Sequence, residues 1–115
     1  MHFSLVGEEA VLSLLKAEVV RLEQCFSRFL PDSEVARINA QAGKRSVRVS
    51  TSMFALMEQA QLIAQASAGA FDCTIAPLVD VWDWKHTRKP PSVRKRLKTQ
   101  ARVDYKNLHL DISTQ

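Results

Sequence analysis

Few side chains in this 115-residue sequence form a set that could carry out covalent or metal chemistry. The two cysteines, Cys25 and Cys73, do not form a CxxC pair, and neither lies near a histidine in the sequence. The three histidines are scattered, so no Ser–His–Asp or Cys–His arrangement is indicated. With only three glycines, the chain also lacks a glycine-rich phosphate loop. These patterns predict surface histidines and two buried thiols in a reducing compartment.

Two other residues could hold a small organic ligand, although each also has a purely structural interpretation. Phe29 could stack against an aromatic ring, or it could end the apolar stripe of the first helix. Asp72 could accept hydrogen bonds from a ligand, or it could close a turn after Gly69. Ser33 and Asn39 fit a helix cap and a helix end, and we interpret both as structural.

The net charge of +4 comes from one segment of the chain. Between Lys85 and Arg102 there are eight Lys or Arg and no acid, whereas the rest of the chain carries eight basic and twelve acidic residues. Such a segment could bind nucleic acid or a partner protein, so a small non-enzymatic binding module is the alternative function. It lacks interleaved aromatic residues and any helix-turn-helix or zinc pattern. A solvated helix and loop is therefore the simpler interpretation, and nucleic acid is not the favoured partner.

Hydrophobic periodicity predicts the helices that must position these residues. Apolar residues recur at spacings of three and four from Glu8 to Phe29, which indicates a long amphipathic helix. Pro31 prevents its simple continuation. A short second helix is expected to begin at Asp32 or Ser33, either of which could cap it.

The rest of the chain alternates shorter elements. The pattern predicts a strand over residues 46–50, a third helix ending near Gly69, a helical turn containing Pro77, and a basic helix capped by Ser92. Residues 103–110 favour one or two final strands.

These elements predict a helix-rich α+β fold in a single domain over residues 1–115. The final strands lack an evident partner within the chain, and a lone hairpin is marginal in water. They could therefore pair with a second copy in a homo-oligomer. No stretch reaches the length of a transmembrane segment and no signal peptide is evident, so the sequence as written predicts a cytoplasmic location.

Two longer segments resemble motifs of a known family. Residues 26–39 read FSRFLPDSEVARIN and residues 69–82 read GAFDCTIAPLVDVW. They are similar to segments of the FAD:protein FMN transferase (ApbE) family, namely S-x-[aromatic]-x-x-D-S-E-hydrophobic-x-R-hydrophobic-N and G-A-[F/M]-D-x-T-hydrophobic-G-P-L-V-x-hydrophobic-W. The resemblance covers roughly residues 10–111 and corresponds to the N-terminal portion of that family.

The resemblance implies an α+β fold and an enzyme that binds FAD and magnesium. Such an enzyme cleaves the FAD pyrophosphate and transfers FMN to a threonine of an acceptor protein. By position, the resemblance implies that the cofactor is bound by Phe29, Ala70, Phe71 and Asp72. It gives supporting roles to Thr74, Pro77 and Trp82. Family members are often exported or anchored to a membrane as lipoproteins.

The sequence departs from the family pattern in several places. Cys73 stands where Pro or another residue is usual, Ala76 replaces a Gly, and Asp80 replaces an Asn. Asp83-Trp84-Lys85 replaces a Gly-aromatic-Gly turn. The family segments that hold magnesium are not found, and phosphoryl chemistry of this kind depends on a metal. The resemblance therefore predicts no catalytic residue and no metal ligand in these residues, and no FMN transfer by this chain alone.

Overall fold

The computed structural model of this chain describes residue 4 and residues 6–112, and helices dominate that part. The α-helices of the described part are α1 (Glu9–Phe26), α2 (Glu34–Gln41), α3 (Thr51–Ala66), α4 (Ala76–Trp82) and α5 (Val93–Gln100), and a 3-10 helix covers Tyr105–Asn107. The helix-rich character expected from the sequence is confirmed. The chain divides into two compact units, Met1–Met53 and Phe54–Gln115. That residues 1–115 form a single domain stays a prediction.

In the first unit, α1 ends earlier than its apolar periodicity predicts. The backbone N–H of Ser27 makes the last helical bond, to the carbonyl of Glu23 at 3.0 Å, and Ser27 itself has extended backbone angles. The Ser27 hydroxyl then accepts a bond from the backbone N–H of Phe29 at 3.2 Å. Phe29 therefore lies in a turn outside the helix, and the interpretation that it ends the apolar stripe of α1 is wrong.

Ser33 begins α2 and ties it to the end of α1. Its hydroxyl accepts a bond from the backbone N–H of Ala36 at 3.0 Å and donates to the carbonyl of Ser27. The residue is completely buried, and α1 and α2 pack against each other. Because a buried hydroxyl must satisfy its hydrogen bonds internally, both bonds favour this one arrangement. The prediction of a structural cap at Ser33 is confirmed.

Glu34 joins α2 to the start of α3. Its Oε1 accepts a bond from the backbone N–H of Ser50 at 3.1 Å, and its Oε2 accepts one from the Ser50 hydroxyl at 2.9 Å. The Ser50 hydroxyl in turn accepts a bond from the backbone N–H of Met53 at 3.2 Å, as a helix cap does. One carboxylate thus fixes the residue that begins α3.

The prediction of strands over residues 46–50 and 103–110 is wrong, because the described residues contain no strand. Val47 and Val49 are half-buried while Ser46, Arg48 and Ser50 are exposed. Burial therefore alternates along this segment as in a strand, but the hydrogen bonds of a β-ladder are not formed. A strand needs a neighbouring segment to supply its hydrogen bonds, and no segment pairs with residues 46–50 within the described part. Residues 105–107 form a 3-10 helix instead.

In the second unit, α3 ends in backbone angles that most residues avoid. The backbone N–H of Gly69 donates to the carbonyl of Ala64 at 2.8 Å, with Gly69 at φ +83° and Ala68 at φ +52°. This bond pattern matches the Schellman ending of a helix, which places a residue in the left-handed region. The prediction of a left-handed glycine after the third helix is confirmed, and Ala68 shares that region without glycine's freedom.

Helices α4 and α5 pack against each other in the second unit. Pro77 lies in the first turn of α4, where its missing N–H costs little. Ala76, which stands where the motif it resembles has Gly, also begins α4 and needs no positive φ. Asp83 ends that helix at φ 42° and ψ 41°, at a position where the resemblance implies Gly. Ser92 caps α5 through a 3.3 Å bond from the backbone N–H of Lys95, as predicted.

None of the helices in residues 6–112 is long and apolar enough to cross a membrane.

Candidate ligand-binding site

The loop after α3 carries three of the residues that the resemblance assigns to a cofactor. The turn is held by Ser67, whose carbonyl accepts a bond from the Ala70 N–H at 3.1 Å and whose hydroxyl accepts one from the Phe71 N–H at 3.0 Å. These bonds direct the chain out of α3 and into the loop. Phe71 keeps 44% of its surface exposed, so its ring is available to a ligand.

Asp72 fixes the far end of this loop. Its Oδ1 accepts bonds from the backbone N–H of Thr74 at 2.8 Å and from the Thr74 hydroxyl at 2.6 Å. Its Oδ2 accepts a bond from the backbone N–H of Tyr105 at 3.1 Å. The turn-closing role that residue types favoured is therefore present. A carboxylate has about four lone-pair sites, so three bonds leave capacity for about one further donor.

A cavity of about 600 Å³ opens between this loop and the segment around the 3-10 helix. Its apolar wall comes from aliphatic side chains and from the aromatic residues Phe71 and Tyr105, and polar side chains border the rest. The lining residues are Ala68, Gly69, Ala70, Phe71, Asp72, Ile75, Leu78, Gln100, Val103, Asp104, Tyr105 and Lys106. The cavity is open to solvent, and polar and apolar atoms contribute about equally to its surface. Its volume lies within the range of about 300–1,000 Å³ that is typical of small-molecule sites.

The structure thus brings Ala70, Phe71 and Asp72 together in one cavity wall. Phe29 belongs to the first unit, where 78% of its surface is exposed and the guanidinium carbon of Arg28 lies 5.0 Å from its ring centroid. The prediction that Phe29 shares a wall with Ala70–Asp72 stays a prediction.

Several lining residues were not identified from the sequence. Gln100 was predicted only as part of a basic helix, and Tyr105 only as a strand residue. No role was predicted for Lys106. These residues lie about 30 positions from the loop in sequence, and no local pattern links residues so far apart.

A separate cavity of about 390 Å³ in the second unit borders α3 and the end of the described chain. Its lining includes Phe54, Leu62 and Leu110, and none of the predicted site residues contributes to it. The Gln61 side-chain amide donates to the carbonyl of Leu108 at 2.7 Å and holds that segment against α3.

The cysteines offer no activated nucleophile. Burial raises the pKa of the Cys25 thiol, and the nearby Glu34 carboxylate also raises it, against a lowering hydrogen bond with Ser50. Desolvation of the sulfur by neighbouring atoms, followed by the charge of Asp72, raises the pKa of the Cys73 thiol, although the residue as a whole is exposed. A thiol with a raised pKa stays protonated and is a poor nucleophile at neutral pH. Cys25 is half-buried, but the prediction of a buried thiol is wrong for Cys73, which is exposed.

The remaining ionisable candidates lie at the surface. His86 and His109 are exposed, as predicted, and His2 lies outside the described residues. The Nδ1 atom of His86 lies 2.6 Å from Oδ1 of Asp83. Within residues 6–112, no group of three or more His, Cys, Asp or Glu side chains is arranged to hold a metal ion. Nucleic-acid or protein binding by the segment Lys85–Arg102 stays a prediction.

Comparison with known proteins places the chain in a family. The family model that matches is that of the ApbE family, and it matches residues 2–115. The chain therefore belongs to the ApbE family. It is also 33% identical over 106 residues to the FAD:protein FMN transferase of Treponema pallidum (strain Nichols), a match that covers 89% of this chain and 27% of that protein.

Solved structures show the same fold. The apo crystal structure of Pseudomonas stutzeri flavinyl transferase ApbE matches with a TM-score of 0.82 at 23% identity, over 92% of this chain and 36% of that one. The ApbE protein of Thermotoga maritima matches with a TM-score of 0.80 at 23% identity, over 96% of this chain and 37% of that one. The chain thus spans between about a quarter and two fifths of the length of these relatives.

Proposed function

We propose that this chain supplies part of the FAD-binding site of an FAD:protein FMN transferase. The observation that carries the proposal is the clustering of Ala70, Phe71 and Asp72 in the wall of one cavity of about 600 Å³. These residues match the family motif that the resemblance assigns to the flavin site. Membership of the ApbE family supports the same conclusion independently of the cavity.

The chemistry of the cavity fits FAD, which combines two flat ring systems with hydroxyl groups and a pyrophosphate. Phe71 and the aliphatic residues would bind a ring, since apolar and aromatic walls favour flat apolar surfaces. Gln100 and the remaining acceptor capacity of Asp72 would bind hydroxyl or amide groups. Lys106 would contribute positive charge near phosphate. Phe29 is proposed as a further contact on the same grounds of motif position.

The reaction proposed for the whole protein is the magnesium-dependent transfer of FMN from FAD to a threonine of an acceptor protein. Bound FAD supplies the FMN group that is transferred. Among the described residues, no group of three or more His, Cys, Asp or Glu side chains is arranged to hold a metal ion. We therefore assign binding of FAD, and not the chemical step, to these residues, and we expect no FMN transfer by this chain alone.

Titration of the chain with FAD tests the proposal, with flavin fluorescence and the thermal unfolding midpoint as readouts. We expect saturable binding that stabilises the chain. Phe71→Ala should weaken binding, whereas Trp84→Ala removes an exposed aromatic ring outside the cavity and should not. An unchanged fluorescence and unfolding midpoint at high FAD would contradict the proposed function.

A flavinylation assay with an acceptor protein, FAD and magnesium tests the second half of the proposal. The chain alone should give no covalent flavin on the acceptor, since it lacks a cluster of metal ligands among its described residues. Covalent FMN on a threonine of the acceptor would overturn this assignment, while leaving the FAD-binding site intact.

A further inference from the structure

Tyr105 occupies a fixed position in the cavity that the family motif does not assign. It begins the 3-10 helix, whose cap is Asp104, since the Asp104 carboxylate accepts a bond from the backbone N–H of Lys106 at 3.0 Å. Its own backbone N–H is bonded to Asp72 at 3.1 Å. Both bonds fix the main chain at Tyr105, and the residue lines the cavity.

The ring of Tyr105 rests against the loop after α3. Its Cε1 atom lies 3.5 Å from the position that a Cβ of Gly69 would occupy, which is ordinary packing distance. The ring is half-buried and lines the same cavity as Phe71.

Two aromatic side chains in one cavity favour a particular class of ligand. Flat rings interact with Phe and Tyr through stacked or edge-to-face contacts that add to simple burial. Aliphatic side chains at Ile75, Leu78 and Val103 add apolar surface, while Gln100, Asp104 and Lys106 supply polar groups. This combination suits a planar heteroaromatic ring, which has apolar faces and polar atoms at its edge.

We infer that Tyr105, which lines the same cavity as Phe71, contacts a planar heteroaromatic ring of the bound ligand and contributes to selection of FAD. The inference rests on the proposed function, and it names a residue and a ligand group for that site. FAD carries two such rings, isoalloxazine and adenine, and the chemistry of the cavity suits either. Titrations with FMN and with ADP separate them, because each carries one of the two rings.

The first test compares two variants of Tyr105 in FAD titrations. Tyr105→Phe keeps the ring and should bind FAD within about twofold of the unmodified chain. Tyr105→Leu keeps apolar bulk without a ring, and an aromatic contact of typical strength corresponds to a loss of about 2- to 10-fold in affinity. If Tyr105→Leu loses affinity for FMN but not for ADP, Tyr105 contacts the isoalloxazine ring. If it loses affinity for ADP but not for FMN, Tyr105 contacts the adenine ring.

A second test needs no variant that might alter folding, because the chain contains a single tyrosine. Incorporation of 3-fluorotyrosine therefore gives one ¹⁹F signal that reports on Tyr105 alone. We expect this signal to shift on titration with FAD, through the ring current of the bound ligand, and to stay unchanged with pyrophosphate.

The outcomes separate this inference from the proposed function. If FAD binds but the ¹⁹F signal does not move, and a folded Tyr105→Leu variant keeps its affinity, the inference about Tyr105 is wrong and the FAD site stands. If the unmodified chain does not bind FAD at all, the proposed function fails and the inference fails with it.

Discussion

The backbone N–H of Tyr105 donates a 3.1 Å hydrogen bond to Oδ2 of Asp72, across 33 positions of sequence. The other oxygen of this carboxylate holds both the N–H and the hydroxyl of Thr74. A single side chain therefore fixes the loop after α3 and joins it to the segment around Tyr105, which forms another part of the cavity wall. The stability of this wall should depend on Asp72 more than on any of its apolar residues.

Replacing Asp72 should destabilise the fold in a graded way. Asp72→Ala removes all three accepted bonds and should lower the free energy of unfolding by about 2–3 kcal/mol. Asp72→Asn keeps one acceptor oxygen, which can still bond Thr74, but its amide nitrogen then faces the backbone N–H of Tyr105. This substitution should lower the free energy of unfolding by about 1 kcal/mol. Urea unfolding measures both. The matched control is Asp32→Ala at an exposed aspartate, which should change stability by less than about 0.5 kcal/mol. Equal stabilities for Asp72→Ala and the control would contradict the assigned role.

Glu34 should contribute to the stability of the first unit about as much as Asp72 contributes to the second. Glu34→Ala would leave Ser50 without its two bonds to the carboxylate and should lower the free energy of unfolding by about 2 kcal/mol. Ser50→Ala should cost about 1 kcal/mol, because it removes the cap of α3. Glu58→Ala, at an exposed glutamate of α3, is the control and should be close to neutral. The double variant tests the pairing, because coupled residues give a smaller loss than the sum of the single losses.

The helices could be predicted from sequence because their causes are local. Ser33 and Ser92 cap helices where their positions suggested, since a cap bonds an N–H only three residues away. The end of α1 was placed too late, because apolar periodicity continues to Phe29 while the backbone already turns at Ser27. The prediction of strands was wrong for the opposite reason. Their hydrogen bonds depend on a distant segment, and local alternation cannot supply one.

The candidate site could be predicted only in part for the same reason. Ala70, Phe71 and Asp72 are consecutive and were identified through one motif. The contribution of Tyr105 depends on a bond that its backbone N–H donates to a residue 33 positions earlier, and no composition or periodicity indicates such a bond. Conversely, the replacement of a family glycine by Ala76 has no visible consequence, because that position is helical.

Ala68 offers a test of the strain at the end of α3. It lies at φ +52°, where an L-residue with a Cβ is disfavoured by about 1–2 kcal/mol and glycine is not. Ala68→Gly should therefore raise the free energy of unfolding, by about 0.5–1 kcal/mol after the greater chain entropy of glycine is subtracted. Ala55→Gly, in the interior of α3, should lower it by about 1 kcal/mol. Thermal unfolding of the two variants should give shifts of opposite sign, and a loss of stability in both would show that Ala68 is not strained.

The two thiols should differ in reactivity and in their dependence on pH. Because desolvation raises the pKa of both thiols, and only the thiolate is alkylated, each should react with iodoacetamide more slowly at pH 7.5 than a cysteine in an unstructured peptide. Their rates should still be rising at a pH where the peptide has reached its maximum, since the fraction of thiolate increases until the pH passes the raised pKa. Mass spectrometry of time courses between about pH 7 and 10 follows each cysteine separately.

Glu34→Gln separates the causes at Cys25. The carboxylate contributes to the raised pKa of that thiol, so its neutral replacement should speed alkylation of Cys25 and leave Cys73 unchanged. Glu34 also holds Ser50, and local opening of the fold would likewise expose Cys25. The pH profile distinguishes the two effects, because a lowered pKa moves the midpoint of the profile, whereas opening raises the rate at every pH. An unmoved midpoint in a folded variant would show that the carboxylate does not influence the thiol.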